Sequence, residues 1–228
     1  MIKIENVDVY GFEAAVRGMR NPLNSWDKSD STFEDVFEDP VNLHDYYMKS
    51  FTAGDNDLKL MKNLVKAGSD HSKFMRMITV TPDITAPLYW WKEFDTYKVG
   101  TVRNSCSTMH KIHSKEFTLD DFSCEHLQDI PNDGAFRCCL KQIIAQLNYA
   151  RDLFIETNDK TYWWQMIQLL PSSYNQRATV QLNYAVLQNM YHSRKNHKLD
   201  EWHVFCKWVE SLPYSELITS EGDGNELG

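Results

Sequence analysis

Ile2, Ile4, Val7 and Val9 fall among polar neighbours in near alternation, so residues 2–10 are predicted as a strand, feeding a short helix over Phe12–Arg20 that Asn21-Pro22 stops. The Ser- and Asp-rich stretch Asn24–Asp39 is expected to loop over the surface, and Leu43–Phe51 to form a helical turn or two. Asp57 is expected to cap a helix on which Leu58, Met61, Leu64 and Val65 share a face, with Gly68 as its stop. Phe74–Thr81 reads as extended chain. Pro82-Asp83 follows it, and Pro87 opens a helical segment carrying Leu88, Trp90, Trp91 and Phe94.

After a polar middle, Ala135–Thr157 places Leu140, Ile143, Ile144, Leu147, Leu153 and Phe154 at helical spacing, which predicts a long core helix. Asp159 is expected to cap the next helix, Thr161–Leu170, and Pro171 to close it. Two more helical patterns follow, Leu182–Arg194 and Leu199–Leu212; the second puts Leu199, Trp202, Phe205, Cys206, Val209 and Leu212 on one face. Helices outweigh strands, and neither a repeat nor a composition break divides the chain. The expectation is one α/β (α+β) domain over residues 1–219, an antiparallel or mixed sheet flanked by several helices, with 220–228 as a frayed tail.

Composition narrows the function classes. With 42% apolar and 25% charged residues over 228 positions, disordered and fibrous classes are excluded. A net charge of −8 disfavours a general nucleic-acid surface, although two or three local Arg can still set the field of a pocket. No apolar run approaches the ~18 residues of a membrane span, and the charged N-terminus does not read as a signal, so cytoplasm is the expected location. Five Cys, an odd number with no two-residue spacing, read as reduced thiols.

Phosphate-loop, dinucleotide and HExxH signatures are missing. His110, His113 and His126 with Cys124 and Cys106 match no closed zinc module, and no metal is expected. Cys106 between two serines suggests a nucleophile, but nothing near it in sequence supplies a base, so a buried inert thiol is the simpler reading; Cys138-Cys139 reads as helix packing. The clusters Tyr89-Trp90-Trp91 and Tyr162-Trp163-Trp164 read as core or subunit-interface packing, with stacking on a flat heterocycle as the other use of such rings.

The segments Ala15-Val16-Arg17-Gly18-Met19-Arg20, Leu64-Val65-Lys66-Ala67-Gly68, Ala86-Pro87-Leu88-Tyr89 and Asn104 to Ser107, then Leu170-Pro171, Asn183, Leu187 and Arg194, occur in the order and spacing of one family. Through them the chain resembles the flavin-dependent thymidylate synthases over most of its length. The resemblance implies a mixed α/β fold in a homotetramer with sites between subunits. It also implies FAD as cofactor, deoxyuridine monophosphate (dUMP) as substrate, and NADPH and methylene-tetrahydrofolate as co-substrates in a reductive methylation. By the same resemblance Arg194, Ser107 and Asn104 would bind substrate, and Asn183, Lys98 and Tyr97 would bind flavin; no protein nucleophile is implied.

Several family cations are replaced. The Arg-His-Arg signature falls on Thr96-Tyr97-Lys98, and family arginines fall on Met109, Ile167 and Ala185, while Lys92, Lys98, Arg103, Lys111 and Arg177 lie near enough in sequence to compensate. The alternative is therefore a non-catalytic nucleotide-binding or structural homologue; a third reading makes the acidic stretch Ser31–Asp39 a docking surface.

Overall fold

The computed structural model describes residues 1–36, 48–130 and 134–220. In chain order the elements are β1 (Lys3–Tyr10), α1 (Phe12–Arg20), β2 (Thr32–Val36), β3 (Met48–Thr52), α2 (Asp55–Lys66), β4 (Thr79–Pro87) and α3 (Leu88–Phe94). There follow β5 (Val102–Ser105), β6 (Asp129–Ile130), β7 (Gly134–Ala135), α4 (Phe136–Thr157), α5 (Lys160–Leu169), β8 (Asn175–Asn183), α6 (Tyr184–Arg194), α7 (Asp200–Glu210) and α8 (Glu216–Thr219).

Four strands form an antiparallel sheet in the order β1-β4-β8-β5, and β2-β3 and β6-β7 make two small hairpin sheets. The mixed α/β expectation holds. In β8 the inward residues Gln176, Ala178, Val180 and Leu182 alternate with outward Arg177, Thr179 and Gln181, the period of a half-buried strand. The predicted helix at Leu182–Arg194 thus begins two residues later, at Tyr184, because the alternation persists to Asn183.

Pro82 lies inside β4, which continues to Pro87 instead of ending near Thr81. It is tolerated because the β1 ladder slips there, between Glu5 and Asp8, with Asn6 at φ 50°. A bulge is where a strand can spare a donor. Further corrections fall before β4. Residues Lys73–Arg76 form a 3-10 turn, not strand. The predicted loop Asn24–Asp39 contains β2, and the predicted helical turn at Leu43–Phe51 contains the start of β3, its residues 43–47 lying outside the described part. Phe33 and Phe51 face each other across that hairpin, and Phe51 stacks on Phe12 at 4.6 Å, an apolar pairing that a strand serves and a helix would not.

The main core lies on the sheet face covered by α1, α2, α3, α6, α7 and α8, with Trp90, Trp91, Trp202, Tyr184 and Phe205 fully buried in it. A second, smaller cluster joins α4 and α5 to the 112–122 segment through Ile112, Phe117, Phe122, Leu140, Leu147 and Met166. The first aromatic cluster is core packing, as expected for Trp90 and Trp91; in the second, Trp164 is exposed. Cys138 and Cys139 are exposed, against the packing expectation, because the first turns of α4 project beyond the elements that cover its middle, and Cys106, expected as a buried thiol, is exposed just past β5. Of the predicted tail only Ser220 is described.

Candidate functional site

The α3 helix delivers Glu93 and the turn that follows it delivers Tyr97, while α6 delivers Arg194 in its last turn and α7 delivers Trp202. These side chains meet. Arg194 Nη1 donates to Glu93 Oε2 at 2.8 Å and Arg194 Nε donates to the Tyr97 hydroxyl at 2.8 Å. Its guanidinium carbon lies 4.8 Å from the Trp202 ring centre and 5.4 Å from that of Tyr97. The same Glu93 oxygen accepts from Trp202 Nε1 at 3.0 Å and faces His197 Nε2 at 3.2 Å. His197 Nδ1 accepts the Leu199 backbone N–H, so Nε2 is the nitrogen free to donate.

Asn183 stands at the other end of α6. Its side-chain oxygen accepts the Val186 N–H, an N-cap that stops β8 and starts the helix. Gly100, at φ +77°, packs so closely that a Cβ there would sit 2.8 Å from the Asn183 amide nitrogen. Eleven residues of helix separate the two predicted ligand groups by roughly 16 Å at 1.5 Å per residue, so within one chain Asn183 and Arg194 do not converge.

Ser107 lies in a separate cleft of about 330 Å³ between the 106–121 segment and the start of β8. Its floor is fixed by β8: Gln176 Nε2 donates to the Cys106 carbonyl at 2.6 Å, and Cys106 N–H donates to the Arg177 carbonyl. Ser107 Oγ accepts the His110 N–H at 3.0 Å. Lys111, Lys115 and Arg177 line the cleft, with Lys115 paired to Asp121 and Arg177 to Asp83. Hydrogen bonds from Thr179, Asn6 and Arg177 hold the Asp83 carboxyl far below the ordinary carboxylate range. Asn104 is exposed on β5 opposite Thr179, and Lys98 is exposed in the turn before Gly100. Arg103 is occupied, lying 4.1 Å over Trp91 and bridging Asp95 to Gln176.

A third feature escaped the sequence reading. A cleft of about 770 Å³ runs between α6 and the 68–76 segment, lined by Arg76, Ser72, Gln188, Asn189, His192 and Lys195 among others, with no carboxylate among the described residues that line it. His192 Nε2 is buried without a hydrogen-bond partner. The available signal was a polar stripe on a helix otherwise read for its apolar face: Ala185, Gln188, Asn189, His192 and Lys195 recur at three- and four-residue steps. Among the described residues no three His, Cys, Asp or Glu side chains group as metal ligands, and no helix is long and apolar enough to cross a membrane. Of the histidines considered, His126 faces Asp200 at the surface and His113 packs on Phe154.

No family model matches the sequence, and no curated protein does. Solved structures match along nearly the whole chain. Thymidylate synthase X (ThyX) from Helicobacter pylori, crystallised with FAD and dUMP, superposes with a TM-score of 0.66 at 16% identity, over 96% of this chain and 98% of that one. A UMP/dUMP methylase, PolB, from Streptomyces cacaoi, bound with 5-Br dUMP, superposes with a TM-score of 0.58 at 14% identity, over 97% of this chain and 96% of that one. This chain has the fold of the flavin-dependent thymidylate synthases.

Proposed function

We propose that this chain binds FAD and a pyrimidine nucleotide and methylates the nucleotide reductively, taking dUMP to dTMP with methylene-tetrahydrofolate and NADPH. Two structures of this fold carry a uridine nucleotide or its analogue, and one of them also holds FAD. The observation that carries the reading is the cleft along α6. It begins two residues after Asn183, has room for a flat cofactor, and presents Arg76 and the unpartnered His192 nitrogen, with Lys195 also in its lining and no carboxylate among the described residues that line it. Bound flavin supplies hydride transfer. The chain's own residues bind and orient: Arg76 and Lys195 neutralise phosphate charge, and Asn189 and Gln188 offer amides to a ring edge. Of the flavin residues expected from sequence, Asn183 remains a proposal beside Gly100, and Lys98 is free to reach a phosphate, whereas the Tyr97 hydroxyl already serves Arg194. Ser107, Asn104 and Arg194 stand as the proposed substrate residues, with Lys111 in the Ser107 cleft as an added cation.

A homotetramer in the cytoplasm completes the proposal. Tyr149 and Ile155 on α4, and Trp164 and Leu169 on α5, are 63, 56, 43 and 41% exposed, apolar side chains on one helical pair that a second subunit would cover. The second reading, a nucleotide-binding homologue without redox chemistry, draws on one observation: Arg194 is already engaged by Glu93 and Tyr97.

The deciding experiment is titration with FAD and dUMP followed by calorimetry, visible absorbance and gel filtration. Tetramer mass, FAD binding, about tenfold weaker FAD binding in Arg76→Ala, and dTMP formation on adding both co-substrates are expected. Nucleotide binding without FAD binding would favour the second reading; binding of neither would reject both.

A further inference from the structure

We propose that Glu93 sets what Arg194 can hold: by clamping and neutralising the guanidinium it leaves that site to a neutral, hydrogen-bond-accepting edge of the ligand, such as pyrimidine carbonyls, and closes it to phosphate. The inference rests on the nucleotide-binding reading above and assigns the discriminating residue within it.

The geometry gives three reasons. First, a guanidinium grips phosphate most strongly by presenting two parallel N–H groups with its charge uncompensated. Here Nε is taken by Tyr97 and one Nη1 hydrogen by Glu93, which leaves the Nη2 side for a ligand. Second, the charge is balanced in place. Glu93 contributes one negative charge and Arg194 one positive, and His197, whose Nδ1 accepts the Leu199 N–H, turns its Nε2 to the same Glu93 oxygen. A dianion brought to Arg194 would meet the Glu93 carboxylate within a few ångströms, in a half-buried setting that screens such repulsion less than open water does. Third, the clamp is rigid. Trp202 donates to Glu93 and also forms a face for the guanidinium, so the carboxylate cannot swing away without leaving the buried indole N–H unpaired.

Glu93 is a positioning and specificity residue in this account, not a group that reacts. Its charge, more than its shape, carries the effect, which makes Glu93→Gln informative: the amide oxygen still accepts from Arg194 and Trp202, while the cluster gains a net positive charge.

Calorimetric titration of the full chain with dUMP and with deoxyuridine, in the wild type, Glu93→Gln and Arg194→Lys, tests the proposal. In Arg194→Lys both ligands should weaken by the same factor, about tenfold for a lost charged hydrogen bond. In Glu93→Gln the ratio of dUMP to deoxyuridine affinity should rise several-fold, and inorganic phosphate should begin to compete with dUMP. If Arg194→Lys weakens dUMP and leaves deoxyuridine unchanged, Arg194 holds the phosphate and the proposal is wrong. An unchanged ratio in a folded Glu93→Gln protein, checked by its melting curve, overturns the role of Glu93 on its own. If the wild type binds neither ligand, the nucleotide reading itself fails and this proposal falls with it, an outcome distinct from the other two.

Discussion

Asp57 was expected to cap a helix; it is instead the centre of a buried knot. Its Oδ2 accepts from Ser29, Ser31 and two backbone N–H groups, and its Oδ1 accepts from Arg20 Nε at 2.6 Å. The capping passes to Asp30, whose carboxylate accepts the Asn56 and Asp57 N–H groups. Burial alone would raise the Asp57 pKa, but hydrogen bonds from Ser31, Ser29 and Arg20 outweigh it and hold the carboxyl below its ordinary value. A lowered folded-state pKa means the stabilisation is complete above the unfolded value and is lost as pH falls through the lower, folded one. Asp57→Ala should therefore cost about 3–5 kcal/mol at neutral pH by stranding buried Arg20, and its melting temperature should fall less than that of wild type as pH drops below about 4. A wild-type-like melting curve at pH 7 would refute this. The identity of Asp57 as a polar group at a helix start was legible; its partners were not, because they come from a segment more than 25 residues away whose Ser and Asp read as loop. The sequence singles out Arg194 and Tyr97, which do meet in the fold, but not Glu93 and His197, since neither sits in a motif and their meeting depends on how α3 and α6 pack.

At the level of elements, α1, α2, α4, α5 and α7 follow the periodicity closely, because each buries one stripe against a sheet or a partner helix. The strands were harder to see. Among the described residues β2 and β3 pair only with each other, and β4 hides behind Pro82, a residue that argues against a central strand until the bulge opposite it is known. The junction of β1 and α1 depends on Gly11, at φ +96°, where a Cβ would lie 2.0 Å from the Met77 carbonyl oxygen. Gly11→Ala is expected to destabilise the protein by more than about 1 kcal/mol, from backbone strain and a clash with main chain that cannot retreat. Denaturant midpoints compare the two proteins directly, and an unchanged midpoint would contradict the packing described at that turn.

Across the whole molecule, the order of segments carried the fold class, but the division of the interior into two apolar clusters was invisible, since composition does not change between them. The α4–α5 pair leans on a cluster much smaller than the one beneath the sheet. Amides in α4 and α5 should consequently exchange with deuterium sooner than those of β4 and β8, a difference that exchange mass spectrometry would resolve; equal protection would mean the two clusters open as one. Finally, α6 is an unbroken helix fastened at its first residue by the Asn183 cap and at its last by the Arg194 clamp. It behaves as a tie-rod: tension applied by a ligand at one end has no joint in which to dissipate, so the two anchorages can be tuned only together, and a shift of register at either would be transmitted undiminished to the other.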